Sequence, residues 1–572
     1  MNTKDRTTNR IDMRTLIIAA VVAVLLASKV MAANTNDAFF TVTIKVDAGK
    51  ALGELKPIWR MFGADEPNYA TMKDGKKLIG ELGALKPRDV FFRTHNLLCS
   101  GDGTPALKWG STGVYSEDAN GNPIYNWKIL DAIFDTYVTN GVKPYAQIGF
   151  MPEALSIHPQ PYQHHWKPGA NYGEIETGWA YPPKDYNKWR ELVRQWVTHC
   201  IERYGRAEVE TWYWEVWNEA NGSYWKAKPE EFRKLHDYAV DGVRQALPNA
   251  RVGGADAAGS GGKWTRDFID HCLHGTNYAT GKMGTPLDFV SFHAKGSPVF
   301  TNGHVRMGIA NQLRAIDSGF SIVKSYPELK NIPIVIGESD PDGCAACQGD
   351  QLGYRNTTAY SSYTAASFAR KWELARRNGV NLDAALTWAF EFEDQPPFAG
   401  FRQLASAGID LPVLNVFRMF SRMAGQQFTV ISDGAVSLNE MMKSGVRGQP
   451  DVSAIASGDQ NKIAVLVWHY HDDDVSGPEA DVDLKFSSLT FPEGKLKLAH
   501  YRIDAEHSNA FEVWKKMGSP LPLSEKQLAV LEQAGQLAQL EGTEVARVAG
   551  NGAEVKFKLP RQGVSLLILT KE

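Results

Sequence analysis

With 572 residues, 43% hydrophobic and 22% charged, the chain has the make-up of a globular protein of two or three domains, which excludes a disordered, collagenous or multi-span membrane protein. Lys and Arg number 62 against 65 Asp and Glu, a formal net charge of −3, so no overall field recruits nucleic acid or another polyanion. Aromatic residues stand out, with 16 Trp, 20 Tyr and 25 Phe; such rings either fill a core or offer flat faces to the C–H-rich sides of sugar rings.

In chain order, residues 1–33 read as an export signal. Arg10 and Arg14 precede the apolar run from Leu16 to Ala27, and Val30-Met31-Ala32 supplies a small-residue cleavage site. The run is shorter than the roughly 20 apolar residues of a bilayer span. The mature protein is therefore expected to be periplasmic or secreted, with no stable membrane span after cleavage; an uncleaved anchor is the alternative. Residues 34–56 carry FFTVTIKVDAG, a strand expected to join a sheet formed by the far end of the chain.

Residues 57–425 alternate short β-rich runs with longer helical patterns. Strand candidates begin at Trp59, Asp89, Val142, Thr211, Ala250, Asp288, Ile332 and Ala384. Between them lie helical stretches such as Tyr186 to Gly205 and Pro229 to Leu247; the second repeats apolar residues at Phe232, Leu235, Ala239 and Val243 after a proline suited to a first turn. This alternation predicts an α/β fold, a (β/α)8 TIM barrel with enlarged loops. An open doubly wound sheet is the alternative, but GADEPN follows the first strand where such folds place a glycine-rich phosphate loop. Residues 426–572 change to alternating strands and predict a C-terminal β-sandwich, interrupted by one helix from Ser524 to Glu541.

Five cysteines are too few for a disulfide scaffold. Cys344 and Cys347 are spaced for a short local disulfide, with free thiols as the alternative; Cys99, Cys200 and Cys272 stand alone.

Barrel chemistry belongs at the C-terminal strand ends. Strand four, TWYWEVWNEAN, places Asn218 and Glu219 there, and strand seven, IPIVIGESD, places Glu338 three βα units further round. An isolated glutamate at such a place is usually a salt bridge or a cap. Two facing across a mouth are what glycosidic cleavage requires, one protonated to donate to the leaving oxygen and the other ionised. Arg93 and His95 end strand two, His293 ends strand six, and Trp388 ends strand eight, so these residues line the same mouth. Arg93 aimed at Glu338 would favour its carboxylate, and the histidines can donate to sugar hydroxyls. His95, His164, His165 and His293 form no HExxH spacing and no GxSxG elbow occurs, so neither a metal, a cofactor nor a serine nucleophile is expected.

FFRTHNL, YWEVWNEAN, DFVSFHAKG, VIGESD, LTWAFEFED and, further on, VLVWHYHDDD and HSNAFEVWKKMGSP together resemble glycoside hydrolase family 39, the retaining β-xylosidase and α-L-iduronidase family. The resemblance covers nearly the whole mature chain. It implies an exo-acting glycosidase that releases xylose from β-1,4-xylo-oligosaccharides, with Glu219 as acid/base, Glu338 as nucleophile, Asn218 bonding the sugar 2-hydroxyl, and a carboxyl spacing of about 5 to 5.5 Å. The family often has Tyr two residues after the strand-six His, where this chain has Lys295. Lys295 is also the one candidate cation for an iduronate carboxylate. Among Glu391, Glu393 and Asp394 of strand eight, Glu393 is the expected sugar-hydroxyl ligand. The segment HPQPYQHHWKPG, with Pro152, Trp166 and Trp179, is expected to wall a short pocket. Trp212, Trp214, Trp217, Trp225 and Trp388 are expected to form a sugar-stacking wall, and the near-neutral charge suits an uncharged glycan. A catalytically silent sugar-binding protein is the alternative of a different class.

Overall fold

The computed structural model describes residues 39–489, 496–548 and 551–571, so the export signal read in residues 1–33 lies outside the described residues. The chain opens with β1 (Phe40–Glu54) and then builds eight strands: β2 (Met61–Ala64), β3 (Val90–Thr94), β4 (Val142–Ile148), β5 (Tyr213–Val216), β6 (Arg251–Ala257), β7 (Phe289–His293), β8 (Pro333–Glu338) and β9 (Asn381–Ala385). All neighbours pair in parallel and in sequence order. The edges meet: Gly63 N–H donates to Thr387 O at 3.1 Å and Thr387 N–H to Met61 O at 3.0 Å, which closes the sheet into a TIM barrel.

The outer helices form where the 3.6-residue period and the end signals coincide. Helix α1 spans Lys73–Leu85, and α2 (Tyr186–Tyr204) starts at Asp185, whose carboxylate accepts from Asn187 N–H at 2.8 Å; it stops at Gly205, whose φ of 85° disfavours other residues. Helix α3 (Pro229–Ala246) begins on its proline with Glu230 and Glu231 in the first turn, and buries Phe232, Leu235, Ala239 and Val243 as the spacing predicts. Full burial of each large apolar side chain contributes about 1.5–3 kcal/mol.

Helix α4 (Thr358–Asn378) carries the barrel to a second layer of structure. There β10 (Gln426–Ser432), β11 (Asp451–Gly458), β12 (Lys462–Tyr470), β13 (Ala480–Ser487), β14 (Leu496–Ile503), β15 (Ala538–Leu540), β16 (Ala546–Val548), β17 (Gly552–Leu559) and β18 (Val564–Lys571) form a ten-stranded sheet with β1, in the order β15-β14-β18-β12-β11-β10-β1-β13-β17-β16. β1 lies antiparallel to β10 and parallel to β13, so the first described strand is held by the last third of the chain. Alternation explains how this unit docks. On β12, Ile463, Val465 and Val467 face Val42, Ile44 and Val482 inside the curled sheet, as in a sandwich. Ala464, Leu466 and Trp468 face the other way and continue the barrel core.

Two expectations are corrected. The helix expected from Ser524 to Glu541 is α5, Glu525–Gly535 only; Gly535 packs against the Asp410 backbone, Gln536 turns extended, and the following residues become edge strand β15. Trp212 and Trp214 do not form a sugar wall. Both are fully buried under α2, where Trp214 meets Trp196 at 5.3 Å and Trp212 meets Tyr204 at 5.4 Å. Trp217 and Trp225 are also core residues, their indole N–H groups donating to Tyr224 O and Lys228 O.

Cys344 and Cys347 are disulfide-bonded, and Cys99, Cys200 and Cys272 are buried free thiols. Among the described residues no helix is long and apolar enough to cross a membrane.

Candidate active site

The C-terminal ends of β3, β5, β6, β7 and β8 bring Arg93, Asn218, Glu219, Asp256, His293 and Glu338 together. The backbone after β5 is strained to do this: Trp217 and Glu219 have φ of 71° and 44°, and Asp256 across the gap has 49°. Such conformations cost of order 1–3 kcal/mol each for non-glycine residues. They are held by Glu219 N–H donating to Asp256 O at 2.9 Å and by the bond from the Trp217 indole to Tyr224. Close approach also needs glycine beside the site. A Cβ on Gly337 would collide with the Asp256 carboxylate, and one on Gly63 with the Trp388 ring.

His293 organises the two glutamates. Its Nδ1 lies 2.7 Å from Glu219 Oε1 and 3.9 Å from Glu338 Oε2, while Nε2 lies 2.9 Å from Asp256 Oδ1. Carboxyl groups thus face both ring nitrogens, and the imidazolium form can donate to each. Burial opposes that charge, but Asp256 and Glu338 outweigh it and raise the His293 pKa to about 10.

Glu338 is 5% exposed and ringed by cations. Lys295 Nζ donates to its Oε2 at 2.6 Å and to Asp340 Oδ2 at 2.8 Å; Arg93 Nη1 and His95 Nε2 lie 3.6 and 3.7 Å from its Oε1. Burial alone would raise its pKa. Lys295, His293 and Arg93 reverse this and hold the carboxyl well below the usual carboxylate range, so Glu338 is ionised. The Glu219 side chain is 26% exposed and lies nearer the opening.

Below this layer, Arg93 is fully buried and bonds Glu215 Oε2 at 2.8 Å, the Asp256 carboxylate and Asn218 Oδ1 at 3.2 Å. Its contact with Glu338 is the longer one, so it fixes the floor of the site as much as it favours that carboxylate. Glu215 is pushed up to about 7 by burial and by Asp256, with Arg93 opposing. His95 bonds Gln147 through Nδ1 and is drawn down to about 4, chiefly by burial, so it is neutral.

An aromatic wall does surround the mouth, and of the expected tryptophans it takes in Trp388, together with residues of other elements. His95 lies 4.3 Å from Trp388, 5.5 Å from Phe150 and 6.1 Å from Tyr224 between ring centres. Trp179 backs Phe150 at 4.3 Å, and Trp166 meets Tyr172, so the third βα loop supports the wall from behind. Within that loop His164 is buried against Lys108 O, and His165 is exposed. Of the strand-eight acids, Glu393 caps a helix: its Oε1 accepts from Asp74 N–H at 2.9 Å and Gly75 N–H at 2.7 Å in the first turn of α1. That task engages one carboxyl oxygen within the fold. Glu391 is buried and accepts from Ala407 N–H, its pKa raised by burial. Asp256, Glu215 and Asp340 went unread in the sequence. Asp256, a charged residue closing a barrel strand, carried a signal; Glu215 and Asp340 are recognisable only by their partners.

Comparison with known proteins agrees with this architecture. The family model described as Glycosyl hydrolases family 39 matches residues 42–548. A beta-xylosidase of Geobacillus stearothermophilus is 28% identical over 428 residues, 71% of this chain and 74% of that protein. An alpha-L-iduronidase of Mus musculus is 24% identical over 520 residues, 84% of this chain and 73% of its own. The crystal structure of a monomeric beta-xylosidase from Caulobacter crescentus CB15 superposes with a TM-score of 0.71 at 22% identity, covering 92% of this chain and 99% of that one, a likeness of fold.

Proposed function

The chain belongs to glycosyl hydrolase family 39, and from that premise we propose that it is a retaining, exo-acting β-xylosidase that releases xylose from the ends of β-1,4-xylo-oligosaccharides. The observation that carries the reading is the division between two facing glutamates: Glu338 is buried and held ionised by Lys295 and its neighbours, whereas Glu219 faces the opening. Glu338 attacks the anomeric carbon while Glu219 protonates the departing oxygen; Glu219 then acts as base on a water that releases the sugar with retained configuration. Two oxygens sharing His293 Nδ1 at 2.7 and 3.9 Å favour the ~5–5.5 Å spacing of retaining pairs over the ~6.5–9.5 Å of inverting ones.

Asn218, whose carbonyl oxygen is taken by Arg93, keeps its amide nitrogen for the sugar 2-hydroxyl. His95, His293 and Trp388 line the terminal sugar. A nucleophile at the closed end and an acid at the open end suit one glycone inside with the rest of the chain leaving outward. Relatives named alpha-L-iduronidase favour an acidic sugar as the second reading. Against it, Lys295 already faces two carboxylates, Glu338 and Asp340, and Lys108 is paired with Asp65, so the positive charge of each is largely compensated within the fold. The Cys344–Cys347 disulfide supports export to an oxidising compartment.

The test is a panel of aryl β-xyloside, α-arabinoside, β-glucoside and α-iduronide, with the anomer of the first product followed by NMR. Fastest turnover of the xyloside with a β-xylose product is expected. An α-xylose product would refute retention, and turnover of the iduronide alone would refute the xylosidase reading. A sugar-binding protein without activity would turn over none of the four and would lose nothing on Glu338→Ala.

A further inference from the structure

Asp65 follows β2 in the segment GADEPN, which the double displacement leaves without a task. The residue is 3% exposed, yet it stands inside the mouth. Its Oδ2 accepts from Lys108 Nζ at 2.7 Å, and its Oδ1 lies 3.5 Å from His95 Nε2, the same nitrogen that lies 3.7 Å from Glu338 Oε1. One ring nitrogen thus faces both Asp65 and Glu338. With Nδ1 facing the Gln147 oxygen, the neutral His95 ring carries its proton there and Nε2 offers none, so among the described residues Asp65 Oδ1 receives no hydrogen bond. Lys108 is buried as well, 5.3 Å from the centre of the Tyr172 ring, whose hydroxyl lies 3.1 Å from that of Tyr224 on the aromatic wall.

A buried ion pair is expensive to desolvate, and well-packed apolar residues commonly serve stability as well or better. Packing alone is therefore a poor account of this pair. What the pair provides is a carboxylate oxygen of fixed position and charge beside the site. Burial works against ionised Asp65, but Lys108 outweighs it and lowers its pKa. An ionised carboxylate only accepts hydrogen bonds, so its unclaimed oxygen calls for a donor from outside the protein.

We propose that Asp65 is a specificity-determining residue of the glycone pocket: its Oδ1 accepts a hydrogen bond from a ring hydroxyl of an uncharged terminal sugar seated on Glu338, while Lys108 positions it. A uronate carboxylate placed there would find an acceptor facing an acceptor. The inference rests on the glycosidase reading above and extends it to the choice of sugar.

The experiment compares an aryl β-xyloside with its 2-, 3- and 4-deoxy analogues on the full chain and on Asp65→Asn. The variant is expected to lose about tenfold to hundredfold in kcat/KM on the parent sugar, the usual effect of a hydrogen bond to a charged group. That loss should vanish on the one deoxy sugar lacking the partner hydroxyl, as coupled groups behave in a double-mutant cycle. An equal loss on all four sugars would overturn the proposal, because an aspartate that only supports the loop penalises every substrate alike. Asp65→Asn strands Lys108, so the series is repeated in Asp65→Asn with Lys108→Met, which leaves no lone charge. Absence of any hydroxyl-dependent loss in that folded variant overturns the proposal equally. If the wild type cleaves a different aryl glycoside and no xyloside, the β-xylosidase reading fails, and the deoxy series of the accepted sugar still tests Asp65.

Discussion

Lys295 Nζ donates to Glu338 Oε2 at 2.6 Å, which makes a lysine the hydrogen-bonding partner of the proposed nucleophile. The sequence placed Lys295 where the family often has a tyrosine and left its partner open. A phenol would donate a hydrogen bond without charge. The ammonium adds a cation that keeps Glu338 ionised and also engages Asp340.

Lys295→Met is accordingly expected to lower kcat/KM by about tenfold to hundredfold, given the ~1.5–3 kcal/mol of a charge-assisted hydrogen bond. It should also move the acid limb of the pH profile to higher pH. The sign follows from the charge: a neighbouring cation favours the carboxylate, so its removal raises the pH below which Glu338 is protonated. Lys295→Tyr should recover part of the rate and keep the displaced limb. Steady-state kinetics between about pH 3 and pH 8 measure both effects; an unmoved limb in the methionine variant would contradict the role.

His293 ties stability to alkaline pH. Its folded pKa, about 10, stands above the ordinary 6.5, because Asp256 and Glu338 overcome the opposing effect of burial. A raised histidine contributes stability that is fully present below 6.5 and lost as pH rises through about 10. The Tm of the wild type should therefore fall across that window. His293→Asn should have a lower Tm at neutral pH and a flatter slope above it; parallel slopes in the two proteins would show that His293 is not the group responsible.

Trp214 tests the division between core and site. Trp214→Ala should destabilise by about 3–5 kcal/mol, the usual cost of emptying a buried tryptophan position. The KM for an aryl xyloside should stay unchanged in the folded fraction. Denaturant unfolding and kinetics read the two separately, and a raised KM at full stability would restore Trp214 to the sugar.

Glu393 makes the opposite test of an expected sugar ligand. As the acceptor for Asp74 and Gly75 N–H it caps α1, so Glu393→Ala should cost roughly 0.5–2 kcal/mol in stability and leave kcat/KM intact. A fall of kcat/KM with an unchanged Tm would return it to the pocket.

The eight parallel strands and Glu219 and Glu338 at the ends of β5 and β8 were legible because barrel order follows sequence order, and alternating patterns mark where each strand stops. The same logic located Arg93, His95 and His293 at the mouth. It misassigned the tryptophans, since alternation says that Trp212 and Trp214 share one face of a strand but not whether α2 covers that face. The helix expected to reach Glu541 failed for a similar reason. Its last residues are claimed by hydrogen bonds to β14, a partner far off in sequence.

Residue order and composition are enough to dictate a globular barrel with a β-rich companion, a near-neutral surface and two glutamates set to face one another, because these depend on local period and on strand count. Pairing of charge belongs to the assembled fold. His293 joins Glu219 to Glu338, Lys295 joins Glu338 to Asp340, and Lys108 holds Asp65, each link bridging elements many residues apart. Coulomb energy and desolvation depend on distance and burial in three dimensions, so the ionised state of Glu338 and the unclaimed oxygen of Asp65 arise only when the strands close into a barrel.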